Sequence, residues 1–498
     1  MDYSAFVNGA KTKLVSPAGY GKTFTIVQCL KHTVGKQLIL THTHAGVGSI
    51  KEKIREAGIM PASYTIETIS SFVQQFIHAF YNPIDIPPQE KSKEYHQFII
   101  DKAAIVFSAS LIQKVVASSY KGLFVDEYQD CSQEQHKAIQ ILSQILPTHI
   151  VGDPLQSIFD FNNTPVNMDT DLTGFEKFPD LDVPQRWYKE GNNKRLGDIL
   201  KEFRELLLEK KVIELIADNA AGFHVVKVLE TDIMNAKSDY RTKLDSIITN
   251  KKNSQGMDSL LIIVPEYEIT KNGKPFKKGS VSERAKLKDR IDYTKCLTLL
   301  EAIDDKSFYA TAKVADELVA GIHKARKKYK KIREEILDKL FPAGKVNEWF
   351  NSEGLKTKKT AVDKVKCDKI RMLLDGFILT PSAQCLYNLV VSLRKEFKIK
   401  YKREELGRTF TVGLKQSYLN NISVYQAVKD NRNLIRRTGR KVHGKCIGTT
   451  LLTKGLEFDT VVLLDAHRFA SPGHLYVALT RCCKRLIIFT ESLTLSPY

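Results

Sequence analysis

The chain has 498 residues, of which 43% are hydrophobic and 27% charged, with a formal net charge of +19. That length exceeds what one hydrophobic core organises and implies two to four domains. The composition excludes a disordered or fibrous chain, and the charge makes a polyanion the natural counterpart. No apolar run approaches the roughly 18 residues a membrane helix needs. The N-terminal stretch MDYSAFVNGAKTKLVSPAG has no basic region followed by an apolar one. A cytoplasmic protein with no membrane partner is expected. Eight cysteines are scattered without a CxxC pair, so neither a zinc or iron–sulfur site nor a disulfide framework is expected.

Along the chain, the apolar strand KLV runs into SPAGYGKTFTIV (16–27), and an apolar-periodic helix follows. Glycines at 19 and 21 let the backbone wrap closely around phosphates, and the amides at the helix start point at the anion. In this P-loop reading Ala18, Gly19, Tyr20, Gly21, Lys22, Thr23 and Phe24 bind nucleotide. Lys22 reaches the β/γ-phosphates and Thr23 holds Mg²⁺. The strict pattern wants Gly at position 16, where Ser stands. A turn with an exposed lysine is the alternative.

LILTH (38–42), GLFVDE (122–127) and THIVGD (148–153) are short apolar runs bounded by polar or turn residues, the pattern of buried parallel strands. GLFVDE predicts a strand ending at Asp126, which binds Mg²⁺ through water, with Glu127 polarising the attacking water. An acidic N-cap for the helix SQEQHKAIQIL is the alternative. FHVVKVLE and SLLIIVPE (223–265), and then DTVVLLDA and RLIIFTE (445–490), repeat the strand style. Alternating strands and helices imply a doubly wound sheet with ligands at the strand C-terminal ends. Residues 280–440 read instead as long helices rich in lysine. KARKKYKKIREE (324–335) is either a solvated face or a nucleic-acid contact.

The series of motifs resembles the UvrD/PcrA/Rep-like branch of superfamily 1 helicases. DEYQD is close to that family's DExxQ-type motif. HIVGDPLQSIFDF (149–161) resembles the next, in which Gln156 senses the γ-phosphate and Phe159 and Phe161 touch DNA. LDVPQRWY (181–188) resembles the following motif and places Arg186 at the γ-phosphate. TTLLTKGLEFDTVVLLD (449–465) brings Gly455 and Glu457 towards nucleotide. HLYVALTRCCKRL (474–486) makes Arg481 an arginine finger supplied within the chain. LTHTHAGV (40–47) and TIETISSF (65–72) resemble DNA-facing elements, which puts Thr41, His42 and Phe72 at nucleic acid.

The resemblance implies an α/β fold: two RecA-like P-loop motor domains with parallel sheets, plus mainly helical insertions. The first motor domain spans 1–74 and 119–180, with a small helical insertion at 75–118. The second spans 181–280 and 441–498, with a helical, lysine-rich insertion at 281–440. It also implies an ATP- and Mg²⁺-dependent motor on single-stranded or end-containing DNA, moving 3′→5′. The compact build further resembles the helicase-like subunit of the Gabija antiphage system, which works with an OLD-type nuclease. An ATP-regulated DNA-end sensor that activates a nuclease and an RNA-directed ATPase are the alternative functions.

The sequence departs from the family on the base side. No Gln precedes the P-loop, Gln185 stands at an expected aromatic, Cys29 at an expected basic residue and Leu451 at an expected histidine. These departures predict weak discrimination between nucleobases, with Trp187 available to restore stacking; the competing reading is that another residue, Asn8, reads adenine through its amide.

Overall fold

A computed structural model describes residues 1–89, 91–158, 166–190, 192–229, 238–249, 259–265, 269–271, 274–276, 298–300, 306–321, 324–351, 354–438 and 444–498. Phe159 and Phe161 lie outside them, as do the expected domain limits at 280–281 and 440–441. The fold is α/β, with two RecA-like lobes each built on a six-stranded parallel sheet.

The first sheet comprises β1 (Lys11–Val15), β2 (Gln37–Thr41), β3 (Tyr64–Thr68), β4 (Gly122–Val125), β5 (Thr148–Gly152) and β6 (Glu176–Lys177), in the order β3-β2-β4-β5-β1-β6. Every residue of β2, β4 and β5 is buried. A parallel strand covered on both faces needs such a continuous apolar run. β1 pairs with β5 from Lys11 opposite Thr148 to Val15 opposite Gly152, and β4 pairs with β5 on its other side. Their C-terminal ends therefore stand side by side. They launch the P-loop, Asp126 and Asp153 from one edge. Helix α1 (Lys22–Leu30) packs Ile26 and Val27 against Leu14, Ile39 and Phe124 in this lobe's core.

Helix α2 (Gln133–Leu142) decides between two readings of the acidic pair. Ser132 caps it, accepting from the Gln135 backbone, and Gln135 returns a bond to the Ser132 amide. Such a reciprocal cap contributes about 1 kcal/mol. Asp126 and Glu127 therefore do not cap this helix.

The second sheet comprises β7 (Phe223–Lys227), β8 (Leu260–Val264), β9 (Thr298–Leu299), β10 (Lys445–Thr449), β11 (Phe458–Leu463) and β12 (Cys482–Thr490), ordered β9-β10-β8-β11-β12-β7. Helix α3 (Lys194–Leu208) lays Leu196, Leu200, Phe203 and Leu207 on it. Helix α4 (Pro472–Leu479) buries Leu475, Tyr476, Ala478 and Leu479 in the same core. Trp187 and the P-loop residue Ala18 belong to this cluster too, so the two lobes share packed surface.

Backbone contacts divide the chain into two compact units. Both lobes fall in one, comprising 1–86, 96–300 and 437–498; the other comprises 87–95 and 301–436. The second unit is helical. Its helices Lys306–Val319, Ala361–Leu379, Ala383–Lys395 and Glu404–Asn420 enclose Phe308, Phe377, Leu386, Leu389, Phe410 and Leu414. The lysine run 324–331 is not uniformly solvated. Lys328 is buried and donates to the Ile378 carbonyl at 3.4 Å, while Lys331 pairs with Glu317. Among the described residues, no helix is long and apolar enough to cross a membrane.

Candidate nucleotide site

The loop after β1 adopts backbone that side chains resist. Gly19 has φ +78° and Gly21 φ +102°. A Cβ on Gly19 would also stand 2.6 Å from the Trp187 ring, so glycine is required there twice over. Gly21 caps α1 without a side-chain bond, which leaves the first amides of the helix to a ligand. Lys22 opens the helix, mostly buried, and donates from Nζ to the Ser16 carbonyl at 3.1 Å. That contact curls the ammonium into the loop's own concavity, where a phosphate would replace the carbonyl as its partner.

Beyond β4, Glu127 sits at φ +55°, a left-handed conformation uncommon for a non-glycine residue. Such strain gathers at functional sites, where surrounding contacts enforce it. Glu127 Oε2 accepts from Gln129 Nε2 at 2.6 Å, and Gln129 Oε1 accepts from the Asp153 amide at 2.8 Å. Burial and the Glu127 charge push Asp126 upward to about 7. Burial opposes ionisation of Glu127 as well, but the Lys22 and Lys454 charges and the Gln129 bond prevail and hold it down. One adjacent carboxyl is thus kept ionised, while in its neighbour burial outweighs the same cations.

Asp126 Oδ1 is buried and accepts no hydrogen bond among the described residues. With the Thr23 hydroxyl it supplies hard oxygen donors, and these residues fit Mg²⁺. This cation uses few protein ligands and keeps water and phosphate oxygens for the rest.

The second lobe sends its functional side chains from the opposite strand ends. Glu457 directly precedes β11 and Arg481 directly precedes β12, and the Phe458 amide donates to the Arg481 carbonyl at 3.0 Å. The first lobe offers its candidate residues from the strand C-terminal ends, as expected, and the second lobe does not. Adjacent parallel strands put both residues on one edge, and in this lobe it is the amino edge. Arg481 is buried. Nε donates to the Val477 carbonyl at 2.9 Å and a terminal nitrogen reaches Gln156 Oε1 at 3.4 Å. Arg186 is fixed by Glu457 and by the Thr480 carbonyl. Burial would keep Glu457 protonated, but Arg186 outweighs it and brings the carboxyl down to about 2. Gly455, at φ +78°, supplies the turn before Glu457.

These residues line one cavity of about 480 Å³, a volume ordinary for a small-molecule site. Its walls include Ala18 through Phe24, Asp126, Glu127, Gln156, Arg186, Gly455, Glu457 and Arg481. All the residues expected at nucleotide and metal therefore meet in one place.

Of the described residues expected at nucleic acid, Thr41 and Phe72 are placed differently. Thr41 is fully buried at the end of β2. Phe72 is buried too, stacked on Phe107 and edge-on to Phe76, so its apolar ring completes a core cluster and offers no face to a base. His42 is kept neutral. Burial first, then the Lys454 charge, pushes it down to about 3. It lies within electrostatic reach of Lys454 and Glu127, next to the cavity.

Three residues carry more of the site than their sequence context suggests. Lys454, from TKGLEF, is buried; its ammonium donates to Asp130 of DEYQD and to the Gln156 carbonyl. Removing one partner from such a buried pair costs about 3–5 kcal/mol. Fully buried Asp153 and partly buried Arg204 form a second pair, at 2.9 and 3.0 Å. Lys454 and Asp153 lie inside motifs already singled out. Arg204, in a charged amphipathic helix, gave no signal.

Trp187 is not available to a base. It is buried, with Nε1 donating to the Cys482 carbonyl at 2.9 Å and its ring under Gly19. Asn8 bonds Ser4 and is not part of the cavity wall. Phe24, half-exposed, lines the same cavity as Tyr3 and Tyr20, as do Asp182, Gln185 and Lys189, none of these last three buried. Solvated polar groups lose little when a base fails to match them, and a stacked ring accepts any base. For GTP, kcat/KM is expected within about tenfold of that for ATP, a difference of about 1.4 kcal/mol or less. Hydrolysis of ATP, GTP, CTP and UTP decides this, and a hundredfold preference for ATP would reveal a dedicated adenine reader.

Comparison with known proteins finds a family model that matches one part of the chain. Residues 89–171 match the family model for the UvrD/REP helicase N-terminal domain. The matched stretch holds the Asp126–Asp130 segment and Gln156, while the P-loop and the second sheet lie outside it. No curated protein matches. Among solved structures, the Arterivirus nonstructural protein 10 helicase is 11% identical at a TM-score of 0.31, over 98% of this chain and 61% of that one. Its complex with DNA is 14% identical at a TM-score of 0.25, over 52% of this chain and 49% of that one. The chain thus spans less than two thirds of these structures' length, and overlays this loose carry no weight for function.

Proposed function

We propose that this protein is a nucleic-acid-dependent ATPase of the superfamily 1 helicase type, translocating on single-stranded DNA in the 3′→5′ direction and unwinding duplex ahead of it. The observation that carries the reading is the meeting of two lobes on one cavity. One lobe offers a P-loop with an adjacent acidic pair; the other offers Arg186 and Arg481. The UvrD/REP match over the acidic segment supports it.

In this reading Lys22 and the free amides of α1 hold the β- and γ-phosphates. Glu127, held ionised, orients and polarises the attacking water. Thr23 and Asp126 hold Mg²⁺, which would neutralise charge on the phosphate oxygens. Gln156 senses the γ-phosphate, and Arg481 balances charge that develops as the terminal phosphoryl group leaves. Arg186, fixed by Glu457, stands beside it. Cations from one lobe and phosphates seated on the other make lobe closure depend on the γ-phosphate, and hydrolysis releases it. That alternation is the motor stroke. An antiphage role rests on the resemblance of the motifs alone. A nuclease partner rests on resemblance of sequence alone.

The test is ATP hydrolysis with and without single-stranded DNA, single-stranded RNA and duplexes bearing 3′ or 5′ tails. DNA is expected to stimulate turnover more than RNA, with displacement from the 3′-tailed duplex only. The net charge of +19 predicts binding that weakens steeply with salt and is nearly independent of sequence. Hydrolysis indifferent to every nucleic acid would overturn the motor reading. Stimulation without displacement would favour a sensor of DNA ends.

A further inference from the structure

Arg204 lies on α3, whose opposite face is embedded in the second lobe's core. Its guanidinium crosses to the first lobe and grips Asp153 through two parallel bonds of 2.9 and 3.0 Å. Asp153 is fully buried. Its Oδ2 also accepts from Gln156 Nε2 at 2.8 Å, and its amide donates to Gln129 Oε1 at 2.8 Å. Gln129 in turn donates to Glu127 Oε2 at 2.6 Å. One residue, Asp153, thus stands between a second-lobe cation and two others: its carboxylate holds Gln156, read above as γ-phosphate sensor, and its amide reaches Glu127, read as water-polarising base, through Gln129. The same guanidinium lies 5.1 Å from the centre of the Tyr476 ring, whose hydroxyl accepts the Ala18 amide of the P-loop at 3.1 Å.

Resting on the ATPase reading, we infer that Arg204 is a positioning residue that carries the state of the second lobe to Gln156 and Glu127 through Asp153. The planar fork matters here, because two bonds fix the rotation of the carboxylate where a point charge fixes only its distance. A carboxylate free to turn would release Gln156 Nε2. Asp153 Oδ1 also accepts the Leu155 amide in the turn that presents Gln156. Rotation would loosen that turn as well. Arg204 is absent from the cavity wall. Its loss should therefore spare nucleotide binding and act on turnover.

Arg204→Lys tests this, because it keeps the charge and removes the fork. The expected result is a fall in kcat of about tenfold or more with KM and nucleotide affinity within about threefold in the folded variant. Asp153→Asn, of the same shape, is expected to show the same split and serves if the lysine variant does not fold. In the Gln156→Ala background, Arg204→Lys should cost less than it does alone, since both act on one network. Wild-type kcat in the folded lysine variant overturns the inference. So does an equal loss of kcat and affinity, or full additivity with Gln156→Ala. If the unaltered protein hydrolyses no nucleoside triphosphate, it is the ATPase reading that fails, which is a distinguishable result.

Discussion

Glu127→Gln is expected to lower kcat by about 10³ or more while ATP binding survives, and Lys22→Ala to lower it comparably while binding weakens too. The two carry different parts of the same expectation. Glu127 is enforced in a left-handed backbone conformation and kept ionised by Lys22, Lys454 and Gln129. Its amide counterpart keeps the shape and loses the charge that orients water, so the ground state is spared and the chemical step is not. Lys22 is aimed into the loop by its bond to Ser16, and in the proposed reading it faces charge both before and during transfer. Steady-state hydrolysis beside equilibrium binding of a fluorescent nucleotide separates the two patterns. Near-normal turnover in either variant would remove that residue from the chemistry.

The parts of this site that the sequence shows are those encoded locally. A P-loop is legible because its glycines, lysine and threonine lie next to one another in sequence. β4 and β8 are legible because GLFV and LLIIV are buried at every position, a pattern the surface of a globular protein does not tolerate. β10, with the sequence KCIGT, is not legible, since its place between β9 and β8 is set by pairing rather than by an apolar run. Arg204 is hidden for a deeper reason. Between Phe203 and Glu205 it follows the amphipathic rhythm of a helix with a wet face. Only the fold reveals that this face meets a buried aspartate 51 residues away. The error over Phe72 has the opposite cause. TIETISSF was read through resemblance, and resemblance says nothing of the aromatic cluster with Phe76, Phe107 and Tyr120 that occupies the ring here. The error over Trp187 is similar, for nearness in sequence to Gln185 does not say on which side of the P-loop an indole lies.

Arg481→Ala is expected to cut kcat by about 10³, the lower end of what an arginine finger contributes, while nucleotide binding falls severalfold at most. Arg481 precedes β12 in the second lobe, whereas the phosphate-binding loop and acidic pair are in the first. Burial, and then the neighbouring Arg186, push its pKa down to about 10. It remains a cation at neutral pH, and its side chain bonds the Val477 carbonyl, Gln156 and Thr480. Those bonds hold the guanidinium in place at the lobe boundary before any phosphate arrives. A cation already oriented in a site shielded from water needs no reorganisation when negative charge grows, and such charge strengthens its interaction most at the transition state. In the proposed reading the ground-state γ-phosphate already has Lys22 and the α1 amides, so binding should depend less on Arg481 than turnover does. Arg481→Lys sharpens the test. It keeps the charge but loses the fork that spans Gln156 and the Val477 carbonyl, and should recover binding fully and kcat only in part. Kinetics across ATP concentrations, with binding measured separately, give the comparison. If turnover and affinity fall by one common factor, Arg481 grips ATP equally in both states, and the charge-balancing role passes to Arg186.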